Sequence, residues 1–317
     1  NMHMSASGTM NEPLLTVFTP SYNRAHLLTN CYHSLKRQDR KNFIWLVIDD
    51  GSTDNTRETV EQMMTAERDF EIRYVYKPNG GLHTGYNLAI SLMTTELSVC
   101  IDSDDMLADG AAGYIEEVWA PQRGREDIAG IVGLDVTAEG KRIGCGLCGG
   151  ETVNAASLLC VKGCGDKKYV VRNDLLRSVA PMPVFEGEKN FNPHYLLLAL
   201  SDRYDFVAVN RPLCVVDYQP DGMSAGIFRQ YVNSPNSFAS LRLMVMSRGE
   251  LLTPAYRYRN AAHYVSSSII ARRRDFIAGS PQKMLTIAAI PLGVAITAAV
   301  MAKTFGYRKE LRKRRRG

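Results

Sequence analysis

Residues 97–109, LSVCIDSDDMLAD, run from a buried-strand pattern directly into an acidic cluster. Asp102, Asp104 and Asp105 place three carboxylates within four positions. Like charges held this close repel one another, so the cluster needs either solvent or a cation. Carboxylate oxygens are the ligands that Mg²⁺ and Mn²⁺ prefer. The stretch therefore predicts either a divalent-metal site or a solvated acidic turn before the helix that begins near Gly110.

A second acidic strand end lies upstream, where the apolar residues 43–48 run into Asp49 and Asp50. Apolar strands alternate with amphipathic helices through the first hundred residues, and Asp54 is placed to cap the second helix. This alternation predicts an α/β fold with a mainly parallel sheet covered by helices. The carboxyl ends of parallel strands share one edge of the sheet, so the two acidic ends predict a metal–nucleotide site there. The expected strands are 14–19, 43–48, 71–76 and 97–101, and the expected helices are 25–38, 54–64 and 82–93.

The pattern is less regular after residue 128. Strands are predicted at 128–136 and 168–171, and an apolar helix at 195–200. Residues 205–209 and 213–216 are predicted to pair with each other around Arg211 and Pro212. From Gly226 to about Arg274 the chain is predicted to be helical.

Charge is distributed unevenly along the 317 residues. The net charge is +5, but residues 303–317 carry +7, which leaves −2 for the rest of the chain. A net acidic body does not fit a folded nucleic-acid-binding surface, so no nucleic-acid partner is expected. The basic tail alone leaves a non-catalytic polyanion-binding protein as an alternative function.

The seven cysteines include Cys145-x2-Cys148 and Cys160-x3-Cys164, a spacing that resembles structural zinc sites. The loop between them lacks the aromatic and basic residues common around such sites. We expect free thiols in a reducing compartment and no stoichiometric zinc. Residues 1–11 are polar and predict no secretory signal.

Four segments in register carry a family resemblance: residues 19–24 (TPSYNR), 49–54 (DDGSTD), 79–87 (NGGLHTGYN) and 102–105 (DSDD). Together they resemble the family 2 glycosyltransferases, inverting enzymes with the A-type nucleotide-sugar-binding fold. The resemblance is strong over about residues 13–110. It continues more loosely through residues 165–167, 185–189 and 218–224, which look like the branch that builds bacterial surface polysaccharides.

The resemblance implies metal-dependent transfer of a hexosyl or N-acetylhexosaminyl group from a nucleotide sugar, and it favours UDP as the nucleotide. The implied acceptor is a lipid-linked (polyprenyl diphosphate) glycan. Mn²⁺ or Mg²⁺ held by Asp104 and Asp102 would offset the charge of the leaving diphosphate. Asp50 would read the base edge, and Tyr22 would stack on the base. The other implied donor-binding residues are Thr19, Pro20, Arg24, Asn79, His83, Asn87 and Ser103.

An inverting transferase needs a general base for the acceptor hydroxyl. Relatives carry a carboxylate ahead of a helix for this purpose, and here residues 185–194 read FEGEKNFNPH. The resemblance favours Glu188 as the base, while Glu186 is expected to contribute little. His194 stands where relatives often carry a second acid and is the alternative base.

Nineteen uncharged, largely apolar residues, 284–302, lie between basic flanks at residues 272–274 and 308–316. As a helix they would be about 28 Å long, just short of the ~30 Å hydrocarbon core of a bilayer, and Pro291 and Gly293 interrupt them. A kinked, re-entrant or in-plane helix would keep both flanks beside the anionic inner leaflet, at the cytoplasmic face of a bacterial membrane. A C-terminal core helix with a disordered basic tail is the alternative.

The predicted organisation is a flexible N-terminus (1–12), a catalytic domain (13–225), a helical extension (226–280), and a membrane-associating helix with a polybasic tail (281–317). A nucleotidyltransferase with a similar sheet is a further alternative. It would need a glycine- and lysine-rich phosphate loop after the first strand, and residues 19–22 contain neither glycine nor lysine.

Overall fold

The computed structural model describes residues 12–161, 163–219, 226–248 and 251–314. Within these ranges the strands form one sheet, which helices cover on both faces, and further helices follow it. The strands are β1 (Leu15–Ser21), β2 (Phe43–Asp49), β3 (Glu71–Tyr76), β4 (Leu97–Cys100), β5 (Met106–Leu107), β6 (Ile128–Thr137), β7 (Thr152–Val153), β8 (Lys167–Arg172) and β9 (Asp205–Val216). The helices are α1 (Ala25–Lys36), α2 (Thr56–Ala66), α3 (Leu82–Leu92), α4 (Ala111–Trp119), α5 (Ala155–Leu158), α6 (Asn173–Val179), α7 (His194–Leu200), α8 (Ile227–Asn233), α9 (Pro235–Met246), α10 (Pro254–Ile270), α11 (Lys283–Ala288), α12 (Ile290–Lys303) and α13 (Phe305–Arg314), with a 3₁₀ turn at Ala120–Gln122.

The strand order is β3-β2-β1-β4-β8-β6-β9-β5, and β7 pairs with β9. Strands β3, β2, β1 and β4 run parallel, with Ser21 opposite Asp49 and Phe18 opposite Cys100. The carboxyl ends of β1, β2 and β4 therefore meet at one edge, as predicted. Strand β8 runs antiparallel to β4 and β6, so the sheet is mixed but mostly parallel.

The predicted pairing of residues 205–209 with 213–216 is wrong. These residues form one twelve-residue strand, β9, which lies parallel to β6 and continues through Pro212. The register shifts on both sides of the Leu134–Pro212 pair. Proline has no N–H to donate, and such an irregularity tolerates it, so the strand does not turn.

Apolar side chains alternate between the two faces of the sheet. On β2, Trp45 and Val47 face the helices α1, α2 and α4, whereas Leu46 and Ile48 face α3, α6 and α7. Helices α9, α10 and α12 pack together beyond the sheet, so the chain on both sides of residue 280 forms one helical unit. Within the described ranges, no helix is both long and apolar enough to cross a bilayer.

Candidate active site

The loops after β1 and β2 are bonded to each other. Asn23 adopts a left-handed conformation (φ 54°), and its Oδ1 accepts hydrogen bonds from the backbone N–H groups of Thr53 (2.7 Å) and Asp54 (3.3 Å). Asp54 accepts from the N–H of Ala25 at the start of α1 and from that of Thr56 at the start of α2. Asp54 was predicted to cap only α2. The structure uses it to fix both loops, which form one wall of the site.

Asp50 organises the neighbouring loop at residues 77–81. Its carboxylate pairs with the Lys77 ammonium and accepts from the N–H groups of Gly80 (2.9 Å) and Gly81 (2.8 Å). Asn79 donates to the Asp50 carbonyl oxygen (2.7 Å) and accepts from Lys189. Asp50, which was predicted to bind the nucleotide base, thus holds the loop in place. A contact with the nucleotide base would have to share this carboxylate with Lys77, Gly80 and Gly81.

Gly81 shows how closely this loop approaches residues 185–191. Its φ is 95°, and a Cβ atom there would lie 2.0 Å from the carbonyl oxygen of Lys189. Only glycine fits both the backbone angle and the space.

Asp102 and Asp104 lie half-buried at the carboxyl end of β4. Asp104 Oδ2 accepts a hydrogen bond from Arg24 Nη1 at 3.0 Å. Burial and the neighbouring Asp102 raise the pKa of Asp104, and Arg24 opposes that shift only in part. Two hard oxygen donors in a region of excess negative charge fit a divalent cation, which Asp102 and Asp104 would hold. The described residues contain no group of three His, Cys, Asp or Glu side chains suited to a metal, so further ligands would have to come from solvent or substrate.

Asp105 faces the interior instead. It accepts from the N–H of Asp217 (3.3 Å), and one of its oxygens lies 3.8 Å from Lys168 Nζ. Burial raises the pKa of Asp105 to about 7, although Lys168 opposes the shift. Burial likewise raises the pKa of Asp135, and Lys168 again opposes it. Sequence reasoning missed Lys168 and Asp135, because buried charges on separate strands leave no local motif.

Three predicted donor-binding residues are buried or bonded within the protein. Thr19 is buried, and its hydroxyl accepts from Trp45 Nε1 at 3.0 Å. Asn87 donates to the carbonyl oxygen of Met182 and accepts from the N–H of the same residue, so two hydrogen bonds join α3 to residue 182. Ser103 is buried in the turn. The contacts of Thr19 and Asn87 show packing functions for these two side chains.

Other predicted residues do lie at the carboxyl edge. Tyr22 is 48% exposed at the end of β1, and Pro20 is buried beside α3. His83 is fully buried under the 79–81 loop, with its ring 6.0 Å from that of Phe191. Burial lowers the pKa of His83, and neither ring nitrogen has a hydrogen-bond partner among the described residues.

Glu188, the base favoured by the resemblance, is held by contacts with a distant helix. Its carboxylate accepts four hydrogen bonds of 2.7–2.9 Å, from the backbone N–H and side chain of Asn236 and of Ser237. These residues form the first turn of α9, whose N–H groups have no partner within the helix. Glu188 therefore caps α9 from a distant part of the chain. A carboxylate saturated in this way is poorly placed to take a proton from an acceptor.

His194 occupies a more suitable position. It begins α7 and lines a cavity of about 130 Å³ together with Tyr86, Cys100 and Tyr169. Cys100 ends β4, so the cavity begins next to the acidic edge. Burial lowers the pKa of His194, with Asp166 opposing the shift, and the imidazole is therefore neutral at pH 7 and able to accept a proton. A larger cavity of about 400 Å³ lies around Glu96 and Arg172, at the opposite end of β4.

The cysteine spacing does not assemble four ligands among the described residues. Cys145 Sγ and Cys164 Sγ lie 2.9 Å apart, whereas Cys148 is exposed. The expectation of no stoichiometric zinc stays a prediction. Residues 220–225, which carry part of the family resemblance, lie outside the described residues, as do residues 1–11 and the last three of the basic tail.

Residues 16–124, which contain all four loops of this edge, match the model of glycosyl transferase family 2. The chain carries a family 2 glycosyltransferase domain. A similar protein is the putative colanic acid biosynthesis glycosyl transferase WcaA of Escherichia coli (strain K12), 35% identical over 96 residues, which are 30% of this chain and 34% of that protein. The chain spans between about a tenth and a third of the length of such curated relatives.

The glycosyltransferase fold extends beyond the matched residues. Staphylococcus aureus TarS (residues 1–349), solved with UDP-GlcNAc, has a TM-score of 0.53 at 18% identity over 87% of this chain and 79% of that one. The mannosyltransferase PcManGT of Pyrobaculum calidifontis, solved with GDP-Man and Mn²⁺, also has a TM-score of 0.53 at 18% identity, over 90% and 88%. At 18% identity, the similarity to these two structures shows that the chain has the A-type α/β fold.

Proposed function

We propose that this chain is a metal-dependent inverting glycosyltransferase that moves a sugar from a nucleotide sugar, most simply a UDP-sugar, to a lipid-linked glycan of a bacterial surface polysaccharide. The observation that carries the proposal is the pair Asp102 and Asp104 beside Arg24, at the edge where three parallel strands end. The names of the similar proteins support the finer points: colanic acid for WcaA, UDP-GlcNAc for TarS, and GDP-Man with Mn²⁺ for PcManGT.

Different residues of the site would bind different parts of the donor. A divalent cation held by Asp102 and Asp104 would offset the negative charge that develops on the leaving diphosphate. Arg24 adds a fixed positive charge beside Asp104. Tyr22 offers an exposed ring at the end of β1 on which the base can stack.

We assign the general base to His194. As the acceptor oxygen forms its bond to the anomeric carbon, the bond from that carbon to the diphosphate breaks and the hydroxyl proton passes to the imidazole. His194 lines the cavity beside the end of β4 and is neutral at pH 7, whereas both Glu188 oxygens are occupied by α9. The assignment reverses the preference that the family resemblance suggests.

The test is release of nucleoside diphosphate from a panel of UDP- and GDP-sugars, with and without EDTA. We expect turnover of one donor class that stops in EDTA and returns with Mn²⁺. Pyrophosphate release from a nucleoside triphosphate and a sugar phosphate would instead identify a nucleotidyltransferase. Donor turnover that is undiminished by EDTA would remove the metal from the proposal.

A further inference from the structure

The C-terminal helices α11 and α12 turn large apolar side chains outward. Met284 is 78% exposed and Phe305, just beyond α12, is 64% exposed. The buried positions of this segment, Thr286, Ala289, Gly293, Val300 and Thr304, are spaced by three, four or seven residues, so they form one stripe and the exposed apolar side chains lie on the broad side opposite it. We call this side the outer face; it consists of Met284, Ile287, Leu292, Val294 and Phe305.

The opposite side of α12, which packs on the protein, combines small and polar residues (Gly293, Thr297 and Thr304) with the apolar Ile296 and Val300. A Cβ atom at Gly293 would lie 2.5 Å from Val265 Cγ1, so the backbones of α12 and α10 are in close approach. Thr297 Oγ1 donates to Ser266 Oγ at 3.0 Å, and Thr304 is buried. A helix at a water-facing surface usually carries polar side chains on its outer side, whereas α12 exposes Leu292 and Val294 there. Small residues between helices with large apolar residues outside are typical of helices that contact lipid.

The charges around the outer face are of one sign. From residue 276 to 309 the sequence contains no Asp or Glu, while Lys283, Lys303, Arg308 and Lys309 flank the apolar residues. Cations beside an exposed apolar face complement anionic lipid headgroups. Fourteen residues make α12 about 21 Å long, so it would lie along a leaflet.

We propose that the outer face of α11 and α12 binds the surface of an anionic lipid bilayer, with its apolar side chains at the boundary between headgroups and acyl chains. The proposal goes beyond the transfer reaction, because it concerns the location of the enzyme and not the group that it transfers. It gives a lipid-linked acceptor a defined side from which to approach.

A continuous set of contacts links this surface to the active site. Asn233 at the end of α8 donates to the Tyr307 hydroxyl at 2.6 Å, and Lys303 Nζ lies 4.1 Å from the centre of the Phe228 ring. Helix α9 follows α8 directly, and Glu188 caps it six residues before His194. The helical unit that would contact lipid therefore also holds the segment that leads to the proposed base.

The test is flotation of the full chain with vesicles of phosphatidylcholine alone or with 30% phosphatidylglycerol. The outer-face variant carries Met284→Glu, Ile287→Glu and Val294→Glu. The matched control carries Met64→Glu, Leu92→Glu and Val184→Glu, three exposed apolar residues of the sheet region. We expect the outer-face variant to bind anionic vesicles at least tenfold less than the wild type, and the control to bind like the wild type. We also expect 1 M salt to weaken binding of the wild type less than the three substitutions do.

Vesicle binding by the outer-face variant equal to that of the wild type, or no binding by the wild type, would overturn the proposal. So would a wild-type dimer in light scattering that the three changes dissociate, because the outer face would then join two copies of the chain. Circular dichroism confirms that each variant is folded. Donor hydrolysis needs no vesicles, so its absence would contradict the proposed function without bearing on this surface.

Discussion

Helices α1 and α12 are similar in length but expose opposite kinds of side chain. Helix α1 buries Leu28 and Leu35 completely and exposes His33 and Lys36. Helix α12 buries Gly293 and Val300 and exposes Leu292 and Val294. The first arrangement is that of a helix between a sheet and water. In the second, apolar side chains lie on both sides of the helix, so apolar content alone does not locate the core.

The two regions meet at Glu188. The sheet region supplies this carboxylate, and the helical region supplies the four donors that it binds. Chemistry at the carboxyl edge and contact at the outer face can therefore be altered separately, and a change at the junction should affect the stability of both.

The largest expected effect is on the chemistry of the sheet edge. Asp104→Ala should lower donor turnover by about 10³-fold or more, because a bound cation contributes several kcal/mol to charge stabilisation. Vesicle binding should not change. The matched control is Asp109→Ala, an exposed acid nearby that pairs with Arg37. Full turnover by Asp104→Ala would show that the acidic cluster is only a solvated turn.

The next effect separates the two candidate bases. His194→Gln should lower kcat by about 10²–10⁴-fold with little change in KM for the donor, as expected for loss of a general base. Burial lowers the pKa of His194, so the wild-type rate should be full at pH 7 and fall only as the pH drops through a value below 6.5. That acidic limb should disappear in His194→Gln. A large kcat loss in Glu188→Gln, with His194→Gln nearly normal, would return the assignment to the carboxylate.

A smaller effect tests the inner side of α12. Gly293→Leu places a large side chain against Val265 and should destabilise the helical region by about 1–3 kcal/mol. Val294→Leu, the neighbouring exposed position, should leave stability within about 0.5 kcal/mol. Urea unfolding followed by circular dichroism measures both. Equal stability of the two variants would mean that α12 does not pack on α10 as described.

The smallest effect is expected at the junction. Glu188→Ala removes the cap of α9 and should cost about 0.5–2 kcal/mol, the range for loss of a helix cap. Well below the unfolding midpoint, donor turnover should stay within a few-fold of the wild type. Thermal unfolding and turnover at low temperature distinguish this outcome from a catalytic loss, in which turnover falls while the midpoint does not move.

The sequence was sufficient for the parts of the site that depend on local pattern. Apolar strands that run into Asp50 and Asp102 predicted a parallel sheet with both acidic ends at one edge, and strand geometry makes that outcome nearly obligatory. The single strand β9 was missed because Pro212 normally ends a strand, and only its pairing with β6 shows the irregularity that accommodates it.

The functions of Glu188, Asn87 and Lys168 depend on partners far along the chain. Asn87 binds the backbone of Met182, and Glu188 binds a helix that begins almost fifty residues later. A motif gives the identity of a polar side chain but not the number of donors that will surround it. For this reason the sequence could name candidates for the base, and our proposed choice between them rests on packing.

The most direct test of this division between the two regions compares two rates in the outer-face variant. One is hydrolysis of the donor in solution, and the other is transfer to a lipid-linked acceptor embedded in anionic vesicles. If the sheet edge performs the chemistry and the outer face brings it to the lipid, hydrolysis should equal that of the wild type while transfer falls at least tenfold. Equal loss of both rates, or unchanged transfer, would contradict it.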